Sequence, residues 1–137
     1  MRLKRIATSM VLLIAATLPP GAASAAPEGV WMVAEKVAVR VFECSGKLCG
    51  AIVWLRKPSL RTPAMCGRTI IWNLQPSGDA NWDDGWFYDP EDDKTYNVDA
   101  HQVSPDLISA RVYLGTPFFG RTETLRRVTL AELDGRC

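Results

Sequence analysis

The sequence predicts an all-β domain, a small antiparallel up-and-down barrel of seven or eight strands held by disulfide bonds. Apolar and polar residues alternate with a period of two through most of the chain after residue 25, and turn-forming residues separate the alternating segments. No segment of ten or more residues there has a clear 3.6-residue period. Because a short antiparallel sheet would expose two edges, we expect a closed barrel rather than a sandwich.

The first 25 residues predict a signal peptide. A basic start, Met1 to Arg5, precedes a mostly apolar run of 13 residues, and Ala23-Ser24-Ala25 fits cleavage after Ala25. The run is shorter than the roughly 20 residues that span a bilayer, so we expect no membrane span after cleavage. The sequence therefore predicts export to the periplasm or the medium, and one domain over residues 26–137.

The charge balance excludes one class of partner. The chain has 16 basic and 15 acidic residues; the signal segment holds three basic and no acidic ones, which leaves 13 against 15, net −2. A nucleic-acid-binding domain needs a clustered basic surface, and no long basic cluster occurs. We therefore expect no nucleic acid as a partner.

All four cysteines lie in the exported part. An even number in such a chain favours disulfides. Cys44 and Cys49 flank a four-residue loop between two apolar runs, and directly opposed residues of a hairpin lie close enough to bond. The predicted bonds are Cys44–Cys49 and, by elimination, Cys66–Cys137. A four-cysteine zinc site stays as the alternative, although the usual C-x-x-C pairs are missing.

The predicted first bond sets the register of a hairpin. If Cys44 opposes Cys49, then Val41 opposes Ile52 and Val39 opposes Trp54. This register gives the hairpin one wholly apolar face and one mixed face, which suits a strand pair with one side on a core.

Further alternating segments predict the remaining strands. One of them places Ile70, Trp72 and Leu74 on the same side, and the acidic stretch from Asp89 to Asp93 reads as a hairpin turn. The segments are Arg68–Leu74, Gly85–Asp89, Lys94–Asp99, Leu107–Leu114 and Thr122–Leu130.

Several motifs follow one another in a specific order over nearly the whole exported part. They are Gly29-Val-Trp31, Leu48–Trp54, Gly67–Ile71, Tyr88–Tyr96, Phe118–Thr122 and Arg127-Val128. In that order they resemble the DUF2147 family, exported bacterial proteins of unknown function. This chain departs from the family pattern at Asp93, where glycine is usual, and at Leu125, where tryptophan is usual.

The resemblance implies a β-barrel similar to the lipocalin and streptavidin group. It also implies a structural pair at the closed end of the barrel, in which Arg127 covers Trp31. A cation–π contact of that kind contributes about 1–2 kcal/mol. The resemblance implies no activity, because function depends on a site and not on a fold.

No catalytic residue and no cofactor is predicted. His101 is the only histidine, and Ser104 and Ser109 near it lack the local frame of a hydrolase nucleophile. We therefore expect a protein that is not an enzyme.

The acidic stretch is expected to be a polar turn with no metal. Its carboxylates could offer oxygen ligands to a cation, but the order of residues is not that of an EF-hand loop. The residues of this weak alternative are Asp89, Glu91, Asp92 and Asp93.

Aromatic residues are the best candidates for a binding site. Large aromatic side chains around a concavity describe a small-molecule site, and packing in the core is the competing interpretation. The predicted ligand is a small apolar or amphipathic molecule held in or at the mouth of the barrel. The candidate residues are Trp54, Trp72, Trp86, Tyr88, Tyr96 and Tyr113.

The alternative function is a protein-interaction module, either an inhibitor or an envelope assembly factor. Its candidate surface is the loop Gly115–Gly120, in which Phe118 and Phe119 could project as an anchor. Exposure of both phenylalanines favours this alternative, and the oligomeric state stays open.

Overall fold

The computed structural model describes residues 14–18, 26–135 and 137. The predicted signal peptide and its cleavage site fall largely outside these residues. Eight β-strands form the domain. They are β1 Gly29–Val33, β2 Val37–Cys44, β3 Lys47–Leu55, β4 Thr69–Gly78, β5 Asn81–Asp89, β6 Lys94–Ser104, β7 Leu107–Tyr113 and β8 Arg121–Arg127.

The strands close into one antiparallel barrel in sequence order, as predicted. Each strand pairs with the next, and β8 pairs back with β1 through Trp31 opposite Arg127 and Val33 opposite Leu125. Closure leaves no sheet edge open to pairing with another chain. The helical turns in the described residues are three short 3-10 segments, and none of them has the length and apolarity of a membrane span.

The β2–β3 hairpin is tighter than the sequence predicted. Cys44 pairs with Lys47 around a two-residue turn in which Ser45 and Gly46 have φ values of 54° and 77°. Positive φ at both positions is typical of a type I′ turn, whose twist matches that of the strands. The predicted four-residue loop is therefore wrong. The disulfide nevertheless forms, diagonally, between Cys44 and Cys49 with a Cα–Cα distance of 6.0 Å.

The register of this hairpin shifts accordingly. Val39 pairs with Ile52, and the next pair joins Ala38 to Trp54, so one residue of β3 bulges out between them. Neither predicted pair, Val41 with Ile52 or Val39 with Trp54, is present. The bulge turns Trp54 to the outer face while Val39 and Ile52 remain inside.

Two facing bulges interrupt β4 and β5. Asn73 and Asp84 have φ values of 60° and 59°, and Asn73 Nδ2 donates to the Asp84 carbonyl over 2.9 Å. Each bulge reverses the alternation of faces, so Ile71 and Leu74 both line the interior and Trp72 lies outside. The predicted common side for Trp72 and Leu74 is therefore wrong.

Several strand boundaries also differ from those predicted. β4 continues to Gly78, β5 begins at Asn81 and β6 continues to Ser104, whereas β8 ends at Arg127. The bulges break the alternation that marks a strand in the sequence, which explains why β4 and β5 looked shorter.

The second disulfide joins Cys66 to Cys137, with a Cα–Cα distance of 5.0 Å. The loop before β4 folds back along β3, since the Gly67 N–H donates to the Ile52 carbonyl over 2.9 Å. The N–H of the last residue donates to Val53 over 3.4 Å. Both predicted bonds thus form, and the described part of the chain holds no free cysteine for a zinc site.

The barrel has two dissimilar ends, a closed end and an open end. The closed end consists of residues 26–28 and the turns at 45–46, 79–80 and 105–106. The open end consists of residues 34–36, 56–68, 90–93 and 114–120. A core of apolar side chains fills much of the space between them, and a smaller apolar cluster lies outside β1–β3.

Candidate functional site

The closed end is sealed by Trp31 and Arg127. Trp31 is fully buried, and its Nε1 donates to the Pro27 carbonyl over 2.7 Å. The guanidinium carbon of Arg127 lies 4.2 Å from the centre of the indole ring, which is the contact that the family resemblance implied. Arg127 also donates to three carbonyls, those of Glu28 (2.7 Å), Ala26 (2.8 Å) and Pro105 (2.9 Å).

Glycine is required at the start of β1. Gly29 has a φ of 130°, and a Cβ built there would lie 2.5 Å from Nη1 of Arg127. The close approach of the guanidinium to the backbone therefore depends on the missing side chain.

Inside the barrel lies an apolar cavity of about 50 Å³. Such a volume exceeds what one water needs, but an apolar lining of this kind keeps a cavity dry and able to take an apolar guest. Glu123 is the one charged side chain in the lining. The apolar side chains around it include Val41, Leu74, Trp82, Val98, Ile108 and Ala110.

A second pocket, of about 150 Å³, forms a mouth at the open end. It shares Val33, Phe87 and Glu123 with the inner cavity, so the two spaces adjoin. Apolar side chains form its floor, and charged groups form its rim. The charged residues of the rim are Lys36, Asp89, Glu91, Asp92, Arg121 and Glu123.

Glu91 ties three loops together at this mouth. Its side chain is only 7% exposed, and its carboxylate lies 3.0 Å from Arg56, 3.7 Å from Lys57 and 3.9 Å from Lys36. The turn between β5 and β6 is thereby held against both the β1–β2 turn and the loop after β3.

A second ion pair faces inward from β8. Arg121 Nε lies 2.7 Å from Glu123 Oε1, and its guanidinium carbon lies 5.0 Å from the centre of the Tyr96 ring. The hydrogen bond to Glu123 raises the pKa of Arg121 above its usual value. Arg121 and Glu123 alternate in phase with the buried Leu125, so they belong to the inner face of the strand.

The predicted aromatic site is not brought together inside the barrel. Of the six candidates, Tyr96 alone shares the inner face of its strand with cavity-lining residues. Trp72 lies opposite Trp86 on the outer face, and Asn97 lies opposite both Trp86 and Tyr113. The four side chains therefore form one row across neighbouring strands. Trp86 is 40% exposed, which leaves this row partly open to solvent.

Two further candidates also lie outside. Tyr88 is covered by Arg68, whose guanidinium carbon lies 4.2 Å from the ring centre. Trp54 packs in the outer apolar cluster and donates from Nε1 to Asp134 Oδ1 over 3.0 Å. These two aromatic side chains support loops and the C-terminal segment rather than a cavity.

Two tyrosine hydroxyls have raised pKa values. The hydrogen bond from Tyr88 to Asp93, 2.8 Å long, is the main cause at the first. Burial is the main cause at Tyr113, followed by the nearby Asp99 carboxylate. Both phenols stay protonated beyond the usual range.

The acidic turn does not gather its carboxylates around a common point. Asp89 Oδ1 accepts the N–H groups of Glu91 (2.9 Å) and Asp92 (3.3 Å), and Asp93 accepts from Tyr88. Among the described residues, no three histidine, cysteine or acidic side chains lie close enough to hold a metal ion.

His101 lies exposed on the outer face of β6. Its Nδ1 lies 2.8 Å from Asn81 Oδ1, and Ser109 stands opposite it on β7. Ser104 accepts from the N–H of Asp106 over 3.4 Å.

The β7–β8 loop carries the most exposed aromatic side chains of the domain. Phe118 and Phe119 are 82% and 80% exposed, and their rings meet edge to face with centres 5.1 Å apart. Arg111 holds the loop from below by donating to the Pro117 carbonyl over 2.8 Å. This exposure favours the interaction alternative.

Sequence reasoning missed most of the residues that line the cavity and its mouth, although it named Asp89, Glu91 and Asp92, which lie on the rim. Glu123 and Arg121 carried a usable signal, since they continue the period-two phase of Leu125 with charged residues. Trp82 gave no such signal. The bulge at Asp84 lies between Trp82 and Trp86 and places their side chains on opposite faces of β5, which simple alternation does not predict.

Comparison with known proteins agrees with this architecture. A family model described as "Uncharacterized protein conserved in bacteria (DUF2147)" matches residues 29–127. A solved structure described as "Protein HP1028 from the human pathogen Helicobacter pylori belongs to the lipocalin family" is similar, with a TM-score of 0.61 and 24% identity over 77% of this chain and 84% of that chain. This likeness shows the fold. No curated protein matches the chain.

Proposed function

The chain belongs to the DUF2147 family of bacterial proteins, and we propose that it is an exported, non-enzymatic binding protein of the cell envelope. Its barrel holds a small apolar or amphipathic ligand. The observation that carries this proposal is the apolar cavity that adjoins a charged mouth. The tail of an amphipathic molecule fits the first space and its head group fits the second.

The sizes of the two spaces restrict the ligand. Cavities of about 50 and 150 Å³ are well below the roughly 300–1,000 Å³ of sites for drug-sized molecules. An unbranched chain is the shape that suits a narrow space inside an eight-stranded barrel, which holds at most one small ligand.

Two features support the other parts of the proposal. Two disulfides in a domain of this size are typical of oxidising compartments outside the cytoplasm. The nitrogen Nδ1 of His101 is engaged by an amide rather than by a nucleophile or an acid, which supports a role without catalysis.

Tryptophan fluorescence tests the proposal, because Trp82 lines the cavity. The probes are unbranched alcohols, amines and carboxylates of increasing chain length. We expect a saturable change whose affinity rises with chain length, by about 0.8 kcal/mol for each buried CH₂. Native mass spectrometry of the purified protein then identifies any retained molecule.

A matched pair of variants locates the site. Ala110→Leu adds carbon atoms to the cavity wall and is expected to abolish binding of the alkyl probes. The control, Ser109→Leu, places the same side chain on the outer face of β7. Equal binding by both variants, or no binding by the wild type, contradicts the proposal.

The second candidate is the interaction module with the loop Gly115–Gly120 as its surface. The 82% and 80% exposure of Phe118 and Phe119 favours it. Exposed aromatic side chains are frequent anchors of interfaces. Replacement of both phenylalanines by serine tests it, with capture of a partner from an envelope extract as the readout.

A further inference from the structure

We propose that the β7–β8 loop is a lipid-surface anchor that seats the open end of the barrel on a membrane. Leu114, Phe118 and Phe119 are 61%, 82% and 80% exposed and project from one loop. Soluble monomeric proteins seldom expose contiguous large apolar side chains without a binding role. This inference extends the proposed function by naming where the ligand is taken up.

The loop presents its side chains in a fixed arrangement. Arg111 donates to the carbonyls of Pro117 (2.8 Å) and Phe118 (3.4 Å), and the side chain of Thr116 accepts from the Phe118 N–H. Because the loop is already ordered, it loses little conformational entropy when it contacts a membrane, which lowers the entropic cost of docking.

Charge favours a lipid surface on this end. Residues 114–120 contain no charged residue, so insertion of this loop into a bilayer buries no charge. Arg111 and Arg121 flank the loop, and their charges stay at its base, where Arg111 donates to loop carbonyls and Arg121 pairs with Glu123. Aromatic residues beside cations are typical of segments that lie in the membrane interface.

The two ends of the barrel differ in the sign of their net charge, which orients the domain on a charged membrane. The open-end segments hold five basic and four acidic residues, and the acidic Glu91 is already paired with three cations. The closed-end segments hold three acidic residues, Glu28, Asp79 and Asp106. Arg127, which reaches this end from β8, lies 3.5 Å from Asp106. An anionic surface therefore repels the closed end and accepts the open end.

The loop also lies beside the mouth of the cavity. Arg121 lines the mouth, and together with Leu114 and Phe119 it lines the adjoining groove under the loop. Insertion of the phenylalanines brings the mouth to the depth of lipid head groups. An apolar chain can then pass from the bilayer to the cavity without crossing water. A protein partner would not require this position, so we favour lipid.

Vesicle flotation tests the proposal with the full exported domain. The probes are vesicles of phosphatidylcholine alone and of phosphatidylcholine mixed with phosphatidylglycerol. We expect binding to both and tighter binding to the anionic mixture, weakened by salt. The double variant Phe118→Ser, Phe119→Ser should lower the partition coefficient about a hundredfold, from the loss of two buried aromatic side chains.

The matched control is Val103→Ser, which removes an apolar side chain that is 55% exposed near the closed end. Its binding should equal that of the wild type. The proposal is overturned if the wild type does not float with either vesicle, or if the double variant floats equally well. It is also overturned if the loop variant loses only self-association or only the capture of a protein.

Binding of the alkyl probes in solution distinguishes a failure of this inference from a failure of the proposed function. The loop variant should bind the alkyl probes as the wild type does, because neither phenylalanine lines the inner cavity. Loss of vesicle binding with retained probe binding supports both proposals. Vesicle binding without any probe binding supports the anchor and rejects the binding function.

Discussion

The closed and open ends of this barrel use the same residue types for opposite purposes. At the closed end, Arg127 covers the fully buried Trp31 and donates to three backbone carbonyls. At the open end, Arg121 lies over Tyr96 and pairs with Glu123, but its side chain is 45% exposed and it borders a pocket. One arginine completes a seal and the other lines an entrance.

The difference shows how the number of partners gives similar contacts different roles. The Arg127 guanidinium donates to three carbonyls and covers a fully buried indole, so its removal loses all of these contacts at once. An exposed ion pair exchanges readily with water and salt, so it can yield to a ligand. Stability should therefore depend on the closed end, and binding on the open end.

The largest effect is expected from Trp31→Ala. Removal of a fully buried indole should lower the free energy of unfolding by about 3–5 kcal/mol. Urea unfolding followed by circular dichroism measures it. Trp86→Ala, at a position 40% exposed, is the control and should cost far less. Equal losses would mean that the closed end is not the more stable region.

The two disulfides should differ in how much they contribute to the free energy of unfolding. In the chain-entropy model the Cys66–Cys137 bond, with a sequence separation of 71, contributes about 4 kcal/mol, and the Cys44–Cys49 bond, with a separation of 5, about 2 kcal/mol. Paired Cys→Ser variants, compared by urea unfolding, check this order. The longer bond ties the C-terminus to the loop of the open end, so hydrogen exchange should rise in residues 56–68 when it is absent.

The two arginines allow a direct test of the comparison. Arg127→Ala should lower the free energy of unfolding by about 2 kcal/mol or more, since it removes three hydrogen bonds and the cation–π contact on Trp31. Arg121→Ala should cost less than about 1 kcal/mol, as for an exposed ion pair. The second variant should instead change the affinity for charged alkyl probes. A reversed order of stability would refute the assignment of roles.

The smallest effect is expected from alkaline titration. The pKa values of Tyr88 and Tyr113 are raised above 10.0 in the folded protein, so the unfolded chain loses these protons first. Their contribution to stability is fully present below pH 10.0 and falls as the pH rises through the folded values. Unfolding measured at increasing pH should show this decline, and Tyr88→Phe with Tyr113→Phe should reduce its slope. An unchanged slope in the double variant would exclude these phenols as its cause.

The sequence by itself determined the class of the fold and the partners of the disulfides. Period-two alternation between turn signals is a local property, and it survives in β2, β6 and β7. Barrel closure follows from the cost of open edges, and the short spacing of Cys44 and Cys49 restricts the pairing of the four cysteines. The motif order was sufficient for the family.

The tertiary structure decided which side chains face the interior. Alternation fixes faces only within an uninterrupted strand, and each bulge reverses them. The bulges at Asn73 and Asp84 depend on each other through a hydrogen bond between strands, so neither is visible from one segment alone. This is why Trp72 lies outside the barrel, and why the inner site consists of a cavity and its charged mouth.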